Sequence, residues 1–144
     1  MKQSALFDSS IYIAALRQGD DALLASRRVA RDSLLWLSSV VLEELYAGAP
    51  DEGRRVIERL ERDFGNAHRI LVPNLRDWTQ TGKVLSRIAV KYHHEKTGQG
   101  RLTNDTLIAT SAGRVGLTVV TANERDFRRL AEFCTFRWQV TNVS

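Results

Sequence analysis

The chain has 144 residues, of which 43% are hydrophobic and 26% are charged, and this composition excludes a disordered tail, a collagen-like fibre and a disulfide-rich scaffold. The length predicts one domain, residues 1–144, whose core is large enough to be stable without cross-links. The 21 Lys and Arg residues outnumber the 17 Asp and Glu residues, and arginine supplies 17 of the cations, which leaves open both a phosphate-bearing or acidic partner and a plain solvated surface.

Short apolar runs alternate along the chain with amphipathic stretches of helical periodicity. The first run stops at Asp8-Ser9-Ser10, and the second is followed by Ser38 and Ser39, which are typical of a helix N-cap. Strands separated by helices predict βαβ crossovers, and hence an α/β fold with three layers, α/β/α, around a mainly parallel sheet of four to five strands. We predict strands over 4–7, 34–37, 69–72, 117–121 and 135–140, helices over 11–17, 20–31, 40–47, 51–64, 78–94, 103–115 and 124–133, and a polar loop over 95–101.

Four acidic residues follow the predicted strands or lie on the helices after them. Asp8 ends the first strand, and Glu44 lies on the helix that follows the second. Asp105 lies near the start of the helix after the polar loop, and Asp126 follows the fourth strand. Because ligands of an open parallel sheet bind beyond the carboxyl ends of its strands, all four side chains could project into one site.

Two of these acids lie on helix faces that are otherwise apolar. At about 100° per residue, Glu44 falls inside the apolar stripe of its helix, whereas Glu43 falls outside it. Asp105 falls at the centre of such a face. A carboxylate on a buried face is costly unless it is paired or bound to a cation, so two of them on separate helices favour a shared cation. The two faces consist of Val40, Val41, Leu45 and Gly48, and of Ile108, Ala109, Ala112 and Val115.

The type of ligand indicates a hard divalent cation. No cysteine or histidine cluster accompanies the acids, and carboxylate oxygens suit Mg²⁺ or Mn²⁺. Carboxylates that hold such ions are typical of phosphodiester hydrolysis, in which the metal orients a water molecule, lowers its pKa and stabilises charge. If four of the 17 acids lie in one metal site, the rest of the chain carries 21 cations against 13 acids, which suits an anionic substrate.

Each acid also has a purely structural interpretation. Asp8 could cap the first helix, Glu44 could pair with a buried arginine, and Asp105 could stabilise a helix N-terminus. Asp126 occupies the N3 position of a capping box if Asn123 is the N-cap. Spacing alone does not decide whether Asp126 or Asn123 completes the site.

Four segments in succession resemble the motifs of PIN-domain ribonucleases, and most of all the VapC toxins of bacterial and archaeal toxin–antitoxin pairs. The likeness runs over about 4–130. Each motif is short, but the four in this order and spacing are specific. The segments are Ala5-Leu6-Phe7-Asp8-Ser9-Ser10, Ser39-Val40-Val41-Leu42-Glu43-Glu44-Leu45-Tyr46-Ala47-Gly48, Asn104-Asp105-Thr106-Leu107-Ile108-Ala109 and Thr118-Val119-Val120-Thr121-Ala122-Asn123-Glu124-Arg125-Asp126-Phe127.

The resemblance implies a Mg²⁺- or Mn²⁺-dependent endoribonuclease. By motif, it implies that Asp8, Glu44 and Asp105 are catalytic metal ligands. It also implies a fourth acid in the last motif, which is Asp126 here, although some members carry Asp where this chain has Asn123. It implies supporting roles for Ser9, which lies beside Asp8, and for Thr121, which matches a small polar residue at the end of a strand.

The resemblance further implies an RNA substrate, a homodimer and a cognate antitoxin protein. The antitoxins of this family often place an arginine or lysine in the acidic pocket, where a guanidinium can take the place of the metal charge. Three arginines near the expected site, Arg101, Arg125 and Arg128, are candidate contacts to RNA phosphates, and a solvated face is an equally good interpretation.

Two other function classes compete with the nuclease. The first is a catalytically inactive PIN-like module that binds RNA or protein and whose acids are helix caps and ion pairs. The second is a phosphoryl-transfer domain with Asp8 as nucleophile. The second is weakened because Asp8-Ser9-Ser10 lacks another acid two residues on and no lysine follows the fourth strand.

The sequence predicts a protein of the cytoplasm that does not enter a membrane. The longest apolar runs, such as 115–120, are too short to cross a bilayer, and Asp8 precedes any apolar segment of a signal peptide. Cys134 is the single cysteine, so no intrachain disulfide can form.

Overall fold

The computed structural model describes residues 3–19, 33–92 and 99–141. Five strands and six helices lie in these ranges and confirm the α/β class. The predicted helix over 20–31 lies outside the described residues. The strands are β1 (Gln3–Phe7), β2 (Ser33–Ser38), β3 (Ile70–Leu71), β4 (Thr118–Thr121) and β5 (Arg137–Val140), and the helices are α1 (Ser9–Gln18), α2 (Ser39–Gly48), α3 (Asp51–Asn66), α4 (Leu75–Lys91), α5 (Gln99–Val115) and α6 (Glu124–Ala131).

The five strands form one parallel sheet in the order β3-β2-β1-β4-β5, which confirms the prediction of four to five strands. The middle strands are buried over most of their length, although Leu34 near the start of β2 is exposed, and Leu6, Leu37 and Val119 have no exposed surface. This burial explains why their sequences are runs of apolar residues and not alternating patterns. The edge strand β5 is mostly exposed, and its charged and polar residues reflect that position.

Two helices begin earlier than the sequence predicts. Helix α4 begins at Leu75, because Asn74 caps it and Asp77 completes a capping box in which each side chain accepts a backbone N–H at 2.9 Å. Helix α5 begins at Gln99 and not at 103, so its first turn contains a glycine of the predicted polar loop.

Helix α2 begins where the sequence predicts, directly after β2. The hydroxyl of Ser38 accepts the backbone N–H of Val40 at 3.1 Å, which confirms the N-cap. Helix α5 ends at Val115 and is followed by a left-handed residue, Gly116, with φ +77°. The backbone N–H of Leu117 then bonds to the carbonyl of Ala112 at 3.0 Å, and this turn feeds the chain directly into β4.

The central pairing of the sheet brings the first and fourth strands together. Phe7 is in register with Val120, and the backbone N–H of Asp8 donates to the carbonyl of Val120 at 3.0 Å. The residues that follow β1 and β4 therefore meet at the same edge of the sheet. Within the described residues, no helix is both long enough and apolar enough to cross a membrane.

Candidate active site

The first predicted acid, Asp8, is buried at the end of β1 and is also the N-cap of α1. Its Oδ1 accepts the backbone N–H of Ser10 at 3.1 Å and the hydroxyl of the same serine. Its Oδ2 accepts the hydroxyl of Thr121 at 2.5 Å. Asp8 therefore has the capping role that the sequence offers as an alternative, and it contacts the predicted supporting residue Thr121 as well.

Burial raises the pKa of the Asp8 carboxyl above its ordinary value of 3.8, because a charged group is poorly solvated there. Hydrogen bonds from Ser10, Thr121 and the backbone of Ile11 act in the opposite direction, since they stabilise the charged form. The carboxylate is thus held in place by donors, while burial leaves its negative charge without the solvation that water would give.

The second predicted acid, Glu44, lies on α2 and is half-buried. Its Oε1 is buried and has no hydrogen-bond partner in the described part of the chain. Burial raises the pKa of the carboxyl, hydrogen bonds from Asn104 and Ser9 lower it, and repulsion from Glu43 and Asp8 raises it further. Asp8 and Glu44 therefore lie close enough to repel each other.

The arginine partner that could have explained Glu44 as a structural residue does not occur among the described side chains, whose ion pairs lie elsewhere. The predicted supporting residue Ser9 instead bonds to Glu44. Because an unpaired buried carboxylate oxygen is costly, Glu44 is a candidate for binding a cation supplied from outside the chain.

The third predicted acid, Asp105, is 5% exposed and lies on α5. Because α5 begins at Gln99, Asp105 lies in its second turn, beyond the first turn where a helix dipole favours an acid most. Its neighbour Asn104 donates to Glu43 Oε2 at 3.4 Å and also bonds to Glu44. These contacts place the second turn of α5 beside α2.

The fourth predicted acid, Asp126, is engaged with Asn123 at the start of α6. Asn123 is the N-cap, its Oδ1 accepts the backbone N–H of Asp126 at 3.4 Å, and its Nδ2 donates to Asp126 Oδ2 at 2.9 Å. The backbone N–H of Asn123 donates to the Thr121 hydroxyl at 2.9 Å. Asp8, Thr121, Asn123 and Asp126 thus form one connected hydrogen-bond network.

Two residues of this region do not belong to the predicted set of site residues. Ser10 bridges Asp8 to the backbone N–H of Ala122, which donates to its hydroxyl at 3.1 Å. Asn104 joins α5 to both acids of α2. Both residues stand inside quoted motifs, next to a predicted acid, but the contacts that give them a role connect distant parts of the chain.

The three predicted phosphate contacts differ in their surroundings. The side chain of Arg101 lies outside the described residues. Arg125 is exposed, whereas Arg128, also exposed, forms an ion pair with Glu124 one turn earlier on α6. A phosphate would therefore compete with Glu124 for Arg128.

Oxygen ligands make this region suitable for Mg²⁺ or Mn²⁺, as the buried Oε1 of Glu44 and the repulsion between Asp8 and Glu44 indicate. A divalent cation would offset both the repulsion and the missing solvation. Among the described side chains, however, no three Asp, Glu, His or Cys residues are grouped as a metal cluster. The chemical fit rests on the Asp8–Glu44 pair, and Asp105 and Asp126 remain predicted ligands.

An apolar groove opens beside Glu44, between α1, α2 and α3. Its volume is about 510 Å³, and Glu44 is one of two acids in its wall. Its wall combines apolar side chains with Glu44, Glu52 and Arg17, so it could hold an apolar segment that carries a cation. Its lining includes Ile13, Leu16, Leu45, Ala49, Pro50 and Val56.

The family model of the PIN domain matches residues 5–133. Similar solved structures include DNA-bound VapBC from Salmonella typhimurium, with 21% identity, a TM-score of 0.66 and coverage of 97% of this chain and 98% of that one. VapBC-1 from nontypeable Haemophilus influenzae has 22% identity, a TM-score of 0.62 and coverage of 94% and 96%. FitAcB from Neisseria gonorrhoeae has 24% identity, a TM-score of 0.64 and coverage of 96% of both chains. No curated protein matches the sequence.

Proposed function

Because the chain belongs to the PIN domain family, we propose that it is a metal-dependent endoribonuclease, the toxin of a toxin–antitoxin pair. It hydrolyses RNA phosphodiester bonds in the cytoplasm as a single domain spanning residues 1–144. One observation carries the proposal: a buried oxygen of Glu44 lacks a donor, although the same carboxylate bonds to Ser9, the residue next to Asp8. Such an arrangement is unfavourable unless the acids bind a cation.

Asp8, Glu44 and Asp105 would hold Mg²⁺ or Mn²⁺, with Asp126 or its partner Asn123 completing the set. When bound, the metal would lower the pKa of a water molecule and supply positive charge for the phosphate. The chain's own groups prepare that site. Thr121 and the serines around Asp8 orient the carboxylates, and burial excludes bulk water from Asp8. Arg125 and Arg128, with Arg101, would contact RNA phosphates.

The proposed partners are an antitoxin and a second copy of the chain. The groove beside Glu44 supports the antitoxin, since an apolar segment could occupy it while a lysine or arginine reaches the acids. The similar structures are complexes by name, VapBC and FitAcB, which also supports a protein partner. The homodimer rests on the resemblance of the motifs.

A second candidate function is a PIN-like module that binds RNA or protein without cleaving it. The observation in its favour is that the described residues contain no ready-made cluster of three metal-binding side chains. Asp8 and Asp126 also both take part in helix caps, a role that needs no metal.

A cleavage assay with wild type and two variants separates the two functions. Wild-type protein is incubated with RNA in Mg²⁺ or Mn²⁺, and then with a chelator, beside Asp105→Asn and a matched control, Asp51→Asn, which changes an exposed acid on α3. We expect cleavage by wild type and Asp51→Asn, with loss in Asp105→Asn and in chelator. Full activity in chelator would refute the metal mechanism, and RNA binding without cleavage would favour the binding module.

A further inference from the structure

Two hydroxyl groups connect Asp8 to the turn between β4 and α6. The Ser10 hydroxyl donates to Asp8 Oδ1 and accepts the backbone N–H of Ala122 at 3.1 Å. The Thr121 hydroxyl donates to Asp8 Oδ2 at 2.5 Å and accepts the backbone N–H of Asn123 at 2.9 Å. Each oxygen of the carboxylate is thus linked, through one hydroxyl, to one of two consecutive backbone amides.

The direction of these hydrogen bonds is fixed by chemistry. A backbone N–H can only donate, so Ser10 and Thr121 must each accept from it and turn their own hydrogen elsewhere. That hydrogen points to Asp8, and a charged carboxylate is an acceptor only. The two backbone amides therefore orient both hydroxyl hydrogens towards the carboxylate and fix the plane in which its oxygens lie.

We propose that Ser10 and Thr121 are paired positioning residues that transmit the backbone geometry of the Ala122–Asn123 turn to Asp8 and so hold its carboxylate ready for a divalent cation. The cation part of this inference rests on the proposed function. Neither hydroxyl needs to touch the metal or the substrate. Both links join distant parts of the sequence: Ser10 and Ala122 are 112 positions apart, and Asp8 and Thr121 are 113 positions apart.

The two links make separate predictions for the two amides. Ser10→Ala removes the acceptor of the Ala122 N–H, and Thr121→Val removes the acceptor of the Asn123 N–H. Hydrogen exchange of these amides, followed by NMR, should accelerate about tenfold in a crossed pattern, Ala122 in the first variant and Asn123 in the second. The core amide of Val119 should keep its protection, which distinguishes a local loss from global destabilisation.

The same variants test the cation. Mn²⁺ affinity, measured by electron paramagnetic resonance of the free ion, should weaken about tenfold in each variant, as removal of groups that orient a metal ligand commonly does. The conservative variants Ser10→Thr and Thr121→Ser should restore it. Ser111→Ala is the matched control, because that buried hydroxyl donates only within α5, to the carbonyls of Leu107 and Ile108.

The outcomes separate this inference from the proposed function. Crossed exchange with weakened Mn²⁺ binding supports both. Crossed exchange in the two variants, together with a wild-type protein that binds no Mn²⁺, supports the linkage to Asp8 but refutes the metal-dependent function. Unchanged exchange, or Mn²⁺ binding by folded Ser10→Ala and Thr121→Val as tight as that of wild type, overturns the positioning role.

Discussion

The carboxylate of Asp77 and the guanidinium of Arg114 form an ion pair that joins α4 to α5, with 2.9 Å between Oδ2 and Nη2. The Nε of Arg114 also donates to both carboxylate oxygens, at 3.0 and 3.1 Å. Asp77 is 3% exposed, whereas the arginine side chain is 33% exposed. The buried charge of Asp77 therefore depends on Arg114 for stabilisation, whereas the charge of Arg114 is also solvated by water.

Removing the arginine should cost more than removing the charge of the acid. Arg114→Met leaves a buried carboxylate without a counter-charge, and we expect the free energy of unfolding to fall by about 2–3 kcal/mol. Asp77→Asn keeps an acceptor for the capping box and leaves an arginine that can turn to solvent, so about 1 kcal/mol is expected. Urea denaturation measures the free energy of unfolding of both variants. The control is Arg87→Met, which changes an exposed arginine on α4, the helix of Asp77. Equal stability of Arg114→Met and wild type would contradict this prediction.

The charge of Glu44 should make stability depend on pH. Because its pKa is raised by burial, the folded protein binds more protons than the unfolded one above pH 4.5, the ordinary value for this carboxyl. The free energy of unfolding therefore falls as the pH rises from about 4.5 through the folded pKa and stays lowered above it. Glu44→Gln has no carboxyl to titrate at this position. The free energy of unfolding of the variant relative to wild type should therefore increase as the pH rises from about 4.5 through the folded pKa of Glu44. Denaturation at a series of pH values checks this, and a constant difference between the two proteins would refute it.

A divalent cation should stabilise the folded chain. A ligand that binds only the folded state, at a hundred times its dissociation constant, adds about 2.7 kcal/mol. We expect Mn²⁺ to raise the denaturation midpoint of wild type and of the control Asp51→Asn. Asp8→Asn and Glu44→Gln should gain far less, since each lacks one predicted ligand charge. The same increment in all four proteins would place the cation elsewhere.

Asp126 and Asn123 can be separated by a substitution that preserves the cap. Asp126→Asn retains an oxygen that can accept from Asn123 Nδ2, so we expect stability to stay within about 0.5 kcal/mol of wild type. If Asp126 is the fourth ligand, as its motif predicts, RNA cleavage should fall at least about tenfold. Asn123→Ala, in contrast, should lose about 1 kcal/mol of stability with the N-cap. Wild-type cleavage by Asp126→Asn would assign this acid to the cap alone.

The two exposed arginines of α6 should contribute unequally to RNA binding. Arg125→Ala should weaken binding and reduce the salt dependence by about one unit of slope, as for the loss of one phosphate contact. Arg128→Ala should have a smaller effect, because Glu124 already neutralises that guanidinium. Filter binding at several salt concentrations measures both slopes. A larger effect of Arg128→Ala would show that RNA displaces Glu124.

The sequence predicts the fold well where the residues of a helix or strand determine that element by themselves. Apolar runs such as those around Leu6 and Val119 predict buried parallel strands, and Ser38 predicts the start of α2. The start of α4 was wrong by three residues, because the capping box of Asn74 and Asp77 precedes the amphipathic pattern on which the prediction relied. Periodicity locates the middle of a helix, whereas capping decides its first turn.

The candidate site shows the same division between local and distant information. The unusual placement of Glu44 and Asp105 on apolar helix faces could be read from spacing, and both are withdrawn from solvent in the structure. The roles of Ser10 and Arg114 could not, because each depends on a contact with a distant element. Nothing in a single sequence indicates that residue 10 will contact residue 122.

The parallel pairing of β1 with β4 has a consequence for biosynthesis. Asp8 leaves the ribosome well before Thr118, where the strand beside it begins. A non-local pairing of this kind must wait until both strands are available. A nascent polypeptide would consequently carry Asp8 without its partner Thr121 until β4 has been made, and any chemistry of the acidic pocket would be delayed until then.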